Sequence, residues 1–180
     1  TRSDTEVIIH AYEQWGQRCV DRFNGQFAFA IWDRNARRLF LARDRFGIRP
    51  LFLARHQGRL LFASEIKSLR AFPGFAPEPD PAAMAEVCHF WVNIPPATAF
   101  QGVYQLPAGH TATLDGDSLD EGQSGLLGCL KLHRYWHPTF LPAAEDHRFV
   151  GSEELKGMAG QVRDRLVDAA VIRLRADVPV

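Results

Sequence analysis

Residues 42 to 51 read Ala42-Arg43-Asp44-Arg45-Phe46-Gly47-Ile48-Arg49-Pro50-Leu51. Short apolar, alternating runs flank them at 38–41 and 51–54, so the stretch reads as a loop between two strands. Arg43, Asp44, Arg45 and Arg49 set three cations and one anion within a few residues. Gly47 permits a positive φ and Pro50 fixes its own, which gives the loop a single shape. On spacing alone this is a rigid strand connection in which Asp44 pairs with a neighbouring arginine.

Working outward, the chain before the loop switches period. Ser3 can cap a helix and Glu6, three residues on, completes a capping box. Val7, Ile8, Ala11, Tyr12 and Trp15 follow at helical spacing, Gly16 suits the stop, and a second short helix is expected over 17–22. From Phe27 the period is two: Phe27, Phe29 and Ile31 alternate with Ala28, Ala30 and Trp32, a strand expected to be buried on both faces. Asp33-Arg34-Asn35-Ala36 is turn chemistry, and 38–42 returns as the hairpin partner. Beyond the loop, 51–55, a His56-Gln57-Gly58 turn and 60–63 form a second hairpin, and Ser64 caps a short helix over 65–70. Two such hairpins make the inside of a sheet sandwich.

Further along, 72–79 is a proline-rich connector, and Asp80-Pro81 opens a helix with a cap followed by proline at its first position. Residues 98–106 and 110–114 read as short strands, 115–128 as a surface excursion, and Arg134-Tyr135-Trp136 as a final strand. A linker composition over 141–151 precedes a long amphipathic helix opened by Ser152, Glu153 and Glu154, with Leu155, Met158, Val162, Leu166 and Ala169-Ala170 along one stripe.

The 180 residues carry 46% hydrophobic and 23% charged side chains with zero net charge, an ordinary globular composition that favours neither nucleic acid nor an anionic membrane. No apolar run reaches the ~18 residues of a membrane span. Arginine outnumbers lysine 18 to 3, which reads as base bias. The chain starts at Thr1 and stops at Val180 within apolar sequence, so it is expected to be a piece of something longer.

Chemistry-bearing residues are few. Cys19, Cys88 and Cys129 lack a local His or Asn partner and metal-ligand spacing; each reads as a small buried hydrophobe of a reducing, cytoplasmic protein. The seven histidines show no metal spacing, and no Gly-rich phosphate cradle is present. Asp4 has a bland use in the helix dipole. Its other use needs the wider pattern.

That pattern is a resemblance. The run Arg-Asp-x-x-Gly-Ile-x-Pro-Leu resembles the signature of class II glutamine amidotransferases, which carry an N-terminal cysteine nucleophile. Seven segments in order (3–8, 24–33, 42–51, Phe62-Ala63-Ser64-Glu65-Ile66-Lys67, Leu106-Pro107-Ala108-Gly109-His110, Arg134-Tyr135-Trp136 and 174–180) look most like the glutamine-hydrolysing asparagine synthetases. The resemblance implies an α+β fold: the later part of an αββα N-terminal-nucleophile sandwich over 1–140, a linker over 141–151, and the first helix of an α/β synthetase domain over 152–180.

For the site, the resemblance implies that Asp4 holds the α-ammonium of substrate glutamine, and that Arg43, Asp44, Gly47 and Pro50 support the pocket. Asn24-Gly25 matches a turn, not the family's oxyanion pair, which lies upstream of Thr1 together with the nucleophilic cysteine. No metal ligand and no catalytic group fall within the chain, which is expected to be inactive alone. In the parent the implied reaction is attack of the N-terminal thiolate on the glutamine amide, release of ammonia, and its transfer to an aspartyl-adenylate made from aspartate with ATP and Mg²⁺. The ATP loop would begin a few residues after Val180. The parent is expected to be a cytoplasmic enzyme acting on small molecules, without nucleic-acid or membrane partners, and a homodimer. Other readings stay open: a different class II amidotransferase, a synthetase relative whose glutaminase half only scaffolds, or a non-enzymatic binding module.

Overall fold

The computed structural model describes residues 3–116, 126–140 and 151–174. They fall into two units, one up to Pro138 and one from Thr139. The first unit opens with α1 (Asp4–Trp15), which ends where Gly16 turns to φ 59° and sends its N–H back to Tyr12. A 3-10 helix (Gly16–Arg22) follows, buried through Cys19 and Val20.

Strands β1 (Ala28–Asp33) and β2 (Arg38–Arg43) pair antiparallel as expected. Asp33 Oδ1 fastens their turn by accepting from the Ala36 N–H at 2.9 Å. Strands β3 (Phe52–His56) and β4 (Arg59–Ala63) form the second hairpin, closed by Gln57 and Gly58. Both of these residues have positive φ, 48° and 70°, the pattern of a type I′ turn. The two hairpins belong to different sheets. After α2 (Ile66–Leu69) and α3 (Pro81–Phe90) come β5 (Val103–Gln105), β6 (His110–Asp115), the single-turn α4 (Leu126–Cys129) and β7 (Lys131–Arg134). One sheet has the order β1-β2-β6-β7 and the other β4-β3-β5, with every pairing antiparallel.

The period of two sorts side chains between layers. Leu41, Ala112 and Leu114 of the first sheet share a buried cluster with Leu53 of the second, filled in by Leu51, Leu106, Leu126, Cys129 and Leu130. On the outer face of the first sheet, Phe40 and Ala42 meet Ala11, Cys19 and Val20 from the two N-terminal helices. On the outer face of the second, Ala54 and Val103 meet Leu69 of α2. The architecture is α+β, and the loop after β2 is the crossing from one sheet to the other. Phe40 has no exposed surface, so truncation to alanine there would cost about 3–5 kcal/mol.

Several local expectations change. Ser3 is the N-cap of α1 but its side chain makes no cap hydrogen bond; Glu6 instead turns toward His10, 3.8 Å away. β1 is an edge strand, and of its row Ala28, Ala30 and Trp32 only Ala28 packs between the sheets, leaving Trp32 52% exposed. Ser64 does not cap α2, whose N-cap is Glu65. Of 98–106 only Val103–Gln105 is strand, because the Thr98 hydroxyl donates to the Val103 carbonyl at 2.8 Å and folds the preceding residues into a turn. The last strand ends at Arg134, before Tyr135 and Trp136. Leu126 is buried, so the far end of the expected surface excursion reaches the core; its middle, 117–125, lies outside the described residues. So do the linker from 141 to 150 and the segment 175–180. Cys88 is exposed, contrary to expectation, whereas Cys19 and Cys129 are buried. Asp80 does cap α3, accepting from the N–H groups of Ala82 and Ala83.

The second unit contains α5 (Ser152–Arg173), with no buried residue. Its stripe, Leu155, Met158, Val162 and Leu166, is exposed.

Candidate functional site

β2 ends by delivering Arg43 and Asp44 to the crossing, and both are buried despite their charge, at 6% and 1% exposure. A buried charge needs hydrogen-bond partners, and these two find theirs in the loop backbone. The Asp44 carboxylate accepts from three N–H groups: Phe46 at 3.1 Å and Ile48 at 3.0 Å on Oδ1, Arg49 at 2.9 Å on Oδ2. The Arg43 guanidinium donates to three carbonyls: Arg49 at 2.9 Å, Leu106 at 2.6 Å and Gly47. The anion collects the loop's donors and the cation its acceptors. The pairing of Asp44 with a neighbouring arginine is therefore corrected: its oxygens are taken by main-chain donors. Burial pushes the Arg43 guanidinium below its ordinary value, and the nearby Asp44 charge opposes that shift.

The Asp44 main chain is a second junction. Its N–H donates to the Phe27 carbonyl at 2.9 Å, and its carbonyl accepts from Gly47 at 3.0 Å and Gly109 at 2.9 Å. The Gly109 carbonyl in turn accepts from the N–H groups of Tyr135 and Trp136. The Phe46 ring lies 4.8 Å from that of Trp136. Gly47 has φ +64°, and a Cβ there would sit 2.9 Å from the Arg43 guanidinium carbon and 3.0 Å from Ala108 Cβ. The half-buried Pro50 leads into Leu51, whose carbonyl takes the Leu106 N–H at 2.9 Å. Arg43, Asp44 and Gly47 are thus brought together as one hydrogen-bonded frame, with Pro50 at the end of the same loop.

Asp4 lies elsewhere. It is the first residue of α1 and is exposed. Among the described residues no hydrogen bond or ion pair joins it to the loop. An exposed carboxylate at a helix start can accept from a ligand ammonium, and it offsets the positive end of the helix dipole that would otherwise repel that cation.

Gly109, Tyr135 and Trp136 complete the frame and were not anticipated as its members. The segments that hold them, 106–110 and 134–136, stood out in the sequence only as signatures. Nothing in single-chain spacing says that residues some 60 and 90 positions later meet Arg43, as they do at Leu106 and Tyr135. Among the described residues no group of three or more His, Cys, Asp or Glu could hold a metal ion, and no helix is long and apolar enough to cross a membrane.

The α+β fold and this buried Arg-Asp frame belong to a recognisable class. The chain is a member of the glutamine amidotransferase domain family, which it matches over residues 1–125. It is similar to the glutamine-hydrolysing asparagine synthetase 3 of Bacillus subtilis, 34% identical over 179 residues, covering 99% of this chain and 26% of that protein. Asparagine synthetase 2 of the same organism is 55% identical over 73 residues, 41% of this chain and 10% of its own length. The amidase chry2 of Gibberella zeae is 36% identical over 179 residues, 99% of this chain and 24% of that protein. The chain spans about a quarter of the length of the relatives it matches from end to end.

Proposed function

We propose that this chain joins the later part of the glutaminase half of an ATP-dependent, cytoplasmic asparagine synthase to the start of its synthetase half. In this reading residues 1–140 belong to an αββα glutaminase sandwich, 141–151 to a linker and 152–180 to the start of the synthetase domain. The family match over residues 1–125 and the likeness to asparagine synthetases along nearly the whole chain support it.

Asp4 binds the α-ammonium of glutamine; the observation that carries this is its exposed carboxylate in the first turn of α1. Arg43, Asp44, Gly47 and Pro50 are positioning residues that fix the loop beside the pocket. A cysteine at the parent's N-terminus attacks the side-chain amide, giving a glutamyl thioester and ammonia, which the second half joins to activated aspartate. ATP and Mg²⁺, which the likeness to asparagine synthetases implies for the parent, are assigned to the rest of that protein.

A second reading draws on the amidase chry2, as similar to this chain as the synthetases are. It keeps the glutaminase and changes the acceptor that receives ammonia. Kinetics of the full-length protein test the shared part. Asp4→Ala should lose about 1.5–3 kcal/mol, roughly tenfold to a hundredfold, in kcat/KM for glutamine while ammonia-driven synthesis is spared. Equal losses in both would make Asp4 a structural residue. Offering aspartate and other carboxylates with ammonia and ATP distinguishes the two acceptors.

A further inference from the structure

Helix α3 is apolar on nearly all sides, yet only Ala83 of its ten residues is buried. Met84, Val87 and Phe90 on the helix, and Val92 and Ile94 beyond it, are exposed. The helix stops at Trp91, which adopts left-handed backbone with φ 64° and ψ 1°. Glycine is usual at such a stop because a Cβ is strained there. Tryptophan adds that strain and an indole 89% exposed, neither of which favours stability or solubility.

The hook is held firmly. The Trp91 N–H bonds the Val87 carbonyl at 2.8 Å, and the Asn93 side-chain amide donates to the Ala83 carbonyl at 2.7 Å. A rigid tryptophan projecting from an apolar surface is the form of an interface anchor, which loses little freedom on binding.

We infer that α3 and the Trp91 hook seat this domain on the remainder of its own polypeptide, at an apolar surface rimmed by arginine or lysine. The inference rests on reading the chain as one part of a longer protein. Two observations select the occupant. The chain spans about a quarter of relatives that it matches from end to end, and a tethered remainder is present at high effective concentration. Residues 71–101 carry Glu78, Asp80 and Glu86 and no lysine or arginine. That acidic balance opposes an anionic lipid surface. It also opposes a symmetric contact with a second copy, which would bring like charges together.

The test places the photo-crosslinker p-benzoylphenylalanine at position 91 of the full-length protein, where the exposed side chain makes misfolding a small risk. Irradiation should give intrachain crosslinks to residues outside these 180, with a yield that does not change on dilution. Crosslinks to a second copy that fade on dilution, crosslinks only within residues 1–180, or none would each overturn the inference. In a second measurement Cys88, exposed here, should lose maleimide labelling in the intact protein and regain it on denaturation; labelling at the same rate in both would overturn it too. Glutamine hydrolysis of the unsubstituted protein is assayed in parallel. If that is normal and the crosslinks fail, the interface alone is wrong; if it is absent, the functional reading fails separately.

Discussion

The Tyr135 hydroxyl donates to the main-chain carbonyl of Arg43 at 2.8 Å, joining residues 92 positions apart. Burial pushes that phenol up to about 12, with the Arg45 charge opposing the shift. Because the folded value lies above the unfolded value near 10, the contribution is full below pH 10 and is lost as pH rises through about 12. Tyr135→Phe should cost about 1 kcal/mol near neutrality and flatten the alkaline decline in stability. An unchanged alkaline slope in denaturant titrations of the full-length protein would contradict this.

Removing the Asp44 carboxylate strips the acceptor from three loop N–H groups at once. Asp44→Ala is expected to cost about 3 kcal/mol, with Asp44→Asn recovering part of it, since the amide oxygen still accepts. Hydrogen exchange at Phe46, Ile48 and Arg49 should quicken in the alanine variant. Unaltered exchange at all three would show that the loop holds its shape without the carboxylate.

Two glycines of the frame should resist substitution. Gly47→Val meets both the positive φ and the Arg43 guanidinium, and should lower stability by more than about 1 kcal/mol. Gly109→Ala, at φ +66°, should be worse than its single methyl suggests, because its Cβ would collide with the Trp136 backbone carbonyl, which cannot swing aside as a side chain can. Gly128→Ala has open space and serves as the control. A Gly47→Val protein with an unchanged melting temperature but no glutamine binding would move the loop from support to direct contact.

Asp115 sits between Lys131 Nζ and Arg38 Nε, each at 2.7 Å, and both partners hold its carboxyl below its ordinary value. Its contribution is present above the ordinary carboxylate range and is lost as pH falls through the lowered folded value. Carboxyl NMR should show Asp115 titrating below 3.8, with Lys131→Ala moving it upward. A midpoint that ignores the Lys131 change would remove this pair from the account.

The 180 residues expressed by themselves are expected to associate or fold incompletely. Trp32 and Phe62 on the sheets, the α3 surface and the whole stripe of α5 present apolar side chains to solvent, more than a soluble monomer usually tolerates. Light scattering and dye binding measure this. A monomer with a sharp, reversible thermal transition would show that these surfaces need no cover.

Local chemistry made the hairpins, α1, α3 and α5 legible, because each is written within a dozen or so residues: alternation for β1 and β2, Gln57-Gly58 for the turn, Asp80-Pro81 for the cap. What failed was whatever depended on distant partners. β2 pairs with β6 across some 70 residues, and that pairing leaves β1 at an edge with Trp32 half out. Tyr135 and Trp136 read as strand because they are large and apolar, but the Gly109 carbonyl draws them out of the ladder. In the site, the rigid loop was legible from Gly47 and Pro50. The partners of Asp44 were not, since a carboxylate between two arginines suggests an ion pair until the backbone donors are in place.

The way Asp44 and Arg43 are tied has a consequence for portability. The ten-residue signature holds only part of its shape alone: beside the bonds within the loop, others run back to Phe27 and forward to Leu106, Gly109 and Tyr135. A ribosome that has released both hairpins has released the motif without its bonds to Leu106, Gly109 and Tyr135. Grafting residues 42–51 onto another scaffold would therefore keep the Asp44 carboxylate's donors but leave the Arg43 guanidinium without the Leu106 carbonyl and the Asp44 main chain without Phe27 and Gly109, and the smallest piece that carries every one of these bonds runs from residue 27 to residue 136.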